Sequence, residues 1–139
     1  MTKTQLRQII REEIQRLNEG YTNYWEQEED FDDREWSKIV KLVKDVIKKA
    51  TKSGIVIRGG SGQGKPKING NEISLNGDGK DGLDHETFRI TKKQKDSWNF
   101  TKTNRKPYDK VVATILLGIK RIAPKKFTPS SDGTLKAMK

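Results

Sequence analysis

The sequence predicts an α+β domain. Apolar residues recur at helical spacing over 36–50 and again over 111–122. Short alternating runs lie between them, and nine of the twelve glycines fall within 54–82, where they punctuate those runs. The expected architecture is a small, mostly antiparallel sheet packed on a buried C-terminal helix and a lysine-faced helix. A mobile N-terminal amphipathic helix precedes it.

The elements follow in chain order. Leu6, Ile9, Ile10, Ile14 and Leu17 draw one apolar stripe, so residues 1–19 read as a helix. Thr2 and Gln5 fit a capping box at its start, and Gly20 is a natural stop. Such a short helix is marginal alone, so the stripe is expected to dock on a partner or on its own domain. Residues 20–33 hold six acids, no base, and Tyr21, Tyr24, Trp25 and Phe31. They read as an acidic, aromatic connector able to compete with a polyanion for the basic domain.

A second helix is expected from Asp32, with Glu35 completing a capping box and Ser53-Gly54 ending it. Trp36, Ile39, Val40, Val43, Val46, Ile47 and Ala50 form its apolar face, and Lys38, Lys41, Lys44, Lys48, Lys49 and Lys52 its charged face. Strands are expected at 55–58, on both sides of an Asn69-Gly70 turn with positive φ, at 87–91 and at 98–103. The last helix runs over 107–123, opened by Pro107 and closed by Pro124, and its nearly continuous apolar surface makes it the central core element. The domain is thus placed at 34–123, with 124–139 as a basic irregular tail.

Composition limits the chemistry. The 139 residues suit one domain, and the formal charge is 29 − 19 = +10. Residues 1–19 carry net +1, residues 20–33 net −6, and residues 34–139 net +15 (25 bases, 10 acids). With no cysteine and a single histidine, disulfides, thiol catalysis and Cys- or His-rich metal centres are excluded. No apolar run approaches the roughly 20 residues of a membrane span, and the N-terminus lacks a secretory pattern. No metal, cofactor or membrane contact is expected, and the composition reads as a soluble, intracellular or virion-internal basic protein.

Three motifs imitate catalytic or ligand sites. Gly59, Gly64 and Lys65 have the spacing of a phosphate-binding loop, yet Pro66 stands where a magnesium-holding hydroxyl belongs. Residues 76–82 look like a calcium loop, but Lys80 and Asp81 occupy the fifth and sixth positions. Asp78-Gly79-Lys80 resembles a nuclease signature placed in a turn rather than a strand. No catalytic residue is assigned and the protein is read as not an enzyme, with a small metal-dependent nucleic-acid enzyme as the remotest alternative. His85, Glu86, Tyr108 and Asp109 pose an open question of whether they converge.

Residues 88–108 are the most informative. Arg89, Lys92, Lys93, Lys95, Lys102, Arg105 and Lys106 are interleaved with Phe88, Trp98, Phe100 and Tyr108 against one acid, Asp96. Cations for phosphates beside rings for bases suit nucleic acid. The competing reading turns Phe88, Trp98 and Phe100 inward as core, and the scarcity of other large apolar residues favours it. The expected nucleic-acid-binding set is these seven cations with Lys41, Lys44, Lys48 and Lys52.

Leu17-Asn18-Glu19-Gly20, closing a terminal helix, resembles the removable head-targeting segment of internal head proteins of T-even-type tailed phages. The resemblance implies a protease cut after Glu19, with Leu17 and Gly20 completing the pattern, a small basic protein packed beside the genome, and a head-assembly partner for the helix. HETF at 85–88, FTKTNRKPYD at 100–109 and SSDG at 130–133 are similar to small phage-encoded proteins of unknown function. The expected function is a virion-associated protein that binds nucleic acid, DNA foremost, through phosphates without sequence preference. The alternative is an interaction module for a host or phage protein.

Overall fold

The protein is described by a computed structural model covering residues 2–18 and 21–138, the side chains of 11–18 excepted. In chain order it contains α1 (Lys3–Asn18), β1 (Thr22–Gln27), α2 (Asp33–Lys52), β2 (Lys67–Ile68) and β3 (Glu72–Leu75). A short 3-10 turn (Gly79–Asp81), β4 (Phe88–Thr91), β5 (Ser97–Lys102), α3 (Asp109–Ile122) and β6 (Phe127–Ser131) complete it. The fold is α+β, with two three-stranded antiparallel sheets, ordered β5-β1-β6 and β2-β3-β4, in place of one.

The expected connector is the central strand of the first sheet. Trp25 pairs with Asn99 of β5 on one side and Pro129 of β6 on the other. Tyr21, Tyr24, Trp25 and Phe31 are all buried. The acids stay at the edges of this burial: Glu26 meets Arg7 of α1, and the Asp30 carboxylate accepts from Lys95 N at 2.9 Å. The tail is likewise structural, because 127–131 form β6, while Leu135 and Met138 pack against the core. The domain therefore begins at Tyr21 and includes the tail, replacing the 34–123 boundaries.

α2 matches its pattern. Asp32 caps it, with Glu35 N donating to Asp32 Oδ1 at 2.7 Å and Asp32 N donating to Glu35 Oε1 at 2.9 Å. Trp36, Ile39, Val43, Val46 and Ala50 are buried against α3, which itself packs on β1 and β6. A Cβ at Gly118 would lie 2.5 Å from Leu42 Cδ2, so glycine permits this close helix crossing. α3 starts two residues later than expected, at Asp109, with Pro107 just outside it.

Two local expectations change. Residues 55–58 contribute only an Arg58–Asn76 bridge. At the hairpin, neither Asn69 nor Gly70 takes a positive φ. Asn69 N donates to Glu72 O, and Asn69 Oδ1 accepts from Asn71 N and Glu72 N, so the side chain builds the turn instead.

Candidate nucleic-acid interface

α2 displays a row of cations. Lys38, Lys41, Lys44, Lys48 and Lys52 are exposed on the side opposite the buried face. Among the described residues none of them is ion-paired. From Lys41 to Lys52 the helix rises about 16 Å, close to five phosphate spacings along one DNA strand.

The second cationic segment is less available. Arg89 Nε bridges to Glu72 at 2.7 Å, and Lys92 is bound to Asp33 at the start of α2. Hydrogen bonds from Lys67 and then Arg89 hold the Glu72 carboxyl below its usual range, and Lys92 does the same to Asp33. Arg105 lies over the Tyr21 ring, 4.3 Å from its centroid. Lys93 and Lys95 are exposed, while Lys102 and Lys106 are half-buried. The eleven expected cations thus divide into a free row on α2 and a segment partly committed to holding the fold.

Trp98 and Phe100 overturn the core expectation. Phe88 and Ile90 are fully buried, but Phe100 is 41% exposed and Trp98 half-buried. In β5 the buried residue is Thr101, one position out of phase with the two rings. The sheet's helix-facing surface carries Asn23, Trp25 and Gln27 from β1, and the rings point to the other surface with Tyr24. There Tyr24 and Trp98 stack at 6.0 Å and 16°, and Trp98 and Phe100 meet at 5.7 Å.

α1 lies on this outer surface. Arg7 binds Glu26, and Thr4, Arg7 and Gln8 line a cavity of ≈ 140 Å³ with Tyr24, Glu26, Trp98 and Ser130. Its start is capped as expected: Gln5 N donates to Thr2 Oγ1 and Thr2 N to Gln5 Oε1. Among the described side chains of α1, Thr4, Arg7 and Gln8 meet the sheet, whereas Leu6 and Ile9 are 49% and 48% exposed and Ile10 is half-buried. The side chains of Ile14 and Leu17, and residues Glu19 and Gly20 of the processing motif, lie outside the described residues.

The glycine loops hold each other. Asn76, 2% exposed, donates to Gly60 O and His85 O and accepts from Gly77 N and His85 N. Gly59 N and Gly62 N bond within their own loop, and Gly79 N donates to Gly62 O. These amides point inward and are spent, unlike those of a phosphate-cradling loop. Arg58 reaches the buried Asp78 at 3.4 Å beside them.

Of His85, Glu86, Tyr108 and Asp109, only Glu86 and Tyr108 are joined by a hydrogen bond, as a structural latch, while His85 bonds Asn76 through its backbone. The Tyr108 hydroxyl donates to Glu86 O at 2.7 Å, and Lys102 N donates to Glu86 Oε1 at 2.6 Å. Burial pushes the Tyr108 phenol well above its ordinary range. Asp109 accepts from Asn23 Nδ2 and Thr103 Oγ1. Sequence reading missed Asn76 and Asp132. The latter accepts from Thr22 N and Tyr24 Oη, and its adjacent Ser131-Gly133 turn was the available signal.

Among the described residues no group of three or more His, Asp or Glu stands close enough to hold a metal, and no helix is long and apolar enough to cross a membrane. Comparison with protein-family models, with curated proteins and with solved structures gives no match.

Proposed function

We propose that this chain is a basic accessory protein that grips nucleic acid by its phosphates without reading sequence. The row Lys41, Lys44, Lys48 and Lys52, exposed and not ion-paired among the described residues, carries this reading. The +15 balance of residues 34–139 supplies the attractive field behind it. The phage resemblance of 17–20, 85–88, 100–109 and 130–133 supports a place beside a packaged genome, with residues 1–19 as the head-targeting segment. The test is a duplex-DNA titration from about 50 to 200 mM salt. Replacing the four lysines with alanine makes the log–log slope shallower by about 4, at roughly 0.9 per phosphate contact. Absence of binding at the low-salt end removes the reading.

A protein-partner reading has its own support in α1, whose Leu6 and Ile9 remain exposed while Thr4, Arg7 and Gln8 meet the sheet. Mass spectrometry of purified particles tests it, since it detects incorporation and any cut after Glu19.

A further inference from the structure

We infer that the outer face of the β5–β1–β6 sheet is a stacking surface for the bases of single-stranded nucleic acid, with Phe100 and Trp98 as its rings. This rests on the phosphate-binding reading above and adds the class of nucleic acid that the site selects. Register defines the face. Tyr24 sits between Phe100 and Ser130, Glu26 between Trp98 and Thr128, and Thr22 beside Lys102.

Three rings are therefore contiguous on one pleated surface, and Phe100 stays 41% exposed even with α1 in place. The surface is preorganised. Tyr24, 2% exposed, is fixed beneath the other rings by its hydroxyl bond to Asp132 at 2.9 Å. Cations follow directly along the chain at Lys102, Arg105 and Lys106, and the acids beside the face are engaged: Glu26 by Arg7, Glu28 by the Thr128 hydroxyl and Asp132 by the Tyr24 hydroxyl. Flat rings bordered by cations match an unpaired strand, which offers base faces and phosphates together. A duplex keeps its base faces inside the stack, so the rings add nothing to duplex binding. At the Tyr24 and Trp98 end the α1 side chains lining the cavity, Thr4, Arg7 and Gln8, are polar, so on this side α1 is a cover that a strand can displace.

The experiment uses the full chain, a thymidine oligonucleotide and a duplex of equal charge. Trp25 and Trp36 are 2% and 4% exposed, so quenching of tryptophan fluorescence reports Trp98. The oligonucleotide is expected to quench and the duplex to bind without quenching. Phe100→Ala, at an exposed position, is expected to weaken oligonucleotide binding by roughly 5- to 100-fold, with duplex affinity and salt slope unchanged. Trp98→Phe is expected to abolish the quench while retaining binding.

Equal binding of both nucleic acids, unaffected by Phe100→Ala, overturns the stacking surface and leaves phosphate binding standing. Failure of both nucleic acids to bind removes both readings, and a duplex that binds while the oligonucleotide does not overturns the stacking surface alone. A dimer that Phe100→Ala dissociates, with oligonucleotide affinity unchanged, assigns the rings to self-association and also overturns the inference.

Discussion

Asn76 and His85 exchange two hydrogen bonds, Asn76 Nδ2 donating to His85 O and His85 N donating to Asn76 Oδ1, each at 3.0 Å. With Gly60 O and Gly77 N as its other partners, one amide side chain joins three segments that contain no regular structure. Backbone groups buried there have few alternative partners, so the side chain substitutes for a ladder.

Asn76→Leu is expected to destabilise the protein by about 2–4 kcal/mol, because it leaves buried carbonyls and amides unpaired. Asn76→Asp is expected to cost a similar amount, since both donations become repulsions. Urea denaturation checks this. A change below about 0.5 kcal/mol, the range of an ordinary surface substitution, refutes the hub role.

Two glycines are expected to respond differently to alanine. A Cβ at Gly77 would stand 2.0 Å from the Leu83 carbonyl oxygen, a backbone atom that moves only with its loop. At Gly118 the obstacle is the end of the Leu42 side chain, which can rotate, and alanine returns about 1 kcal/mol of helix propensity. Gly77→Ala is therefore expected to lower the melting temperature sharply and Gly118→Ala only slightly. The reverse order in a thermal melt refutes the packing argument.

Deleting residues 1–19 is expected to leave the melting temperature within a few degrees, since ~1 kcal/mol moves a domain of this size by roughly 2–8 °C. The contact through Arg7 is a partly exposed ion pair, which contributes little. The deletion removes +1 and leaves +9, so DNA binding survives it. Under the phage reading, particle incorporation is lost. A large loss of stability with incorporation intact places α1 in the core and ends the targeting proposal.

Glu72 is expected to titrate below its ordinary 4.5, because Lys67 and Arg89 both favour its charged form. A depressed carboxylate contributes its stability above the unfolded pKa and loses it as pH falls through the folded value. The effect is thus full at neutral pH, begins to fade near the ordinary 4.5 and is gone only once pH has fallen through the lower folded value. Carbon NMR of the Glu72 side chain measures the midpoint, and Lys67→Ala moves it upward. A midpoint at or above the ordinary value contradicts the hydrogen-bonded arrangement.

Deleting 20–31, which as a competing connector would tighten DNA binding, removes the central strand instead. β1 escaped the sequence reading for a physical reason. Tyr24 and Trp25 are adjacent, and both are buried, because α1 and the neighbouring rings cover one face of the sheet while α3 packs against the other side. A strand buried on both faces shows no period of two, and its acids then read as a linker. β6 was hidden similarly, since its Pro129 and serines have low strand propensity and it gains its order from pairing with β1.

Where the periodicity and the cap are local, the chain reads correctly alone. α2 has its capping box within four residues and its apolar stripe within one helix, so no distant contact was needed to find it. The Phe88/Ile90 alternation was legible for the same reason. Trp98 and Phe100 show the opposite case. Alternation places them together on one face of β5, but whether that face meets the helices or the outside is set by registry with β1, about 75 residues away. A shift of one residue exchanges the two faces, and only the pairing of Tyr24 with Phe100 sends both rings outward, turning residues expected in the core into a surface.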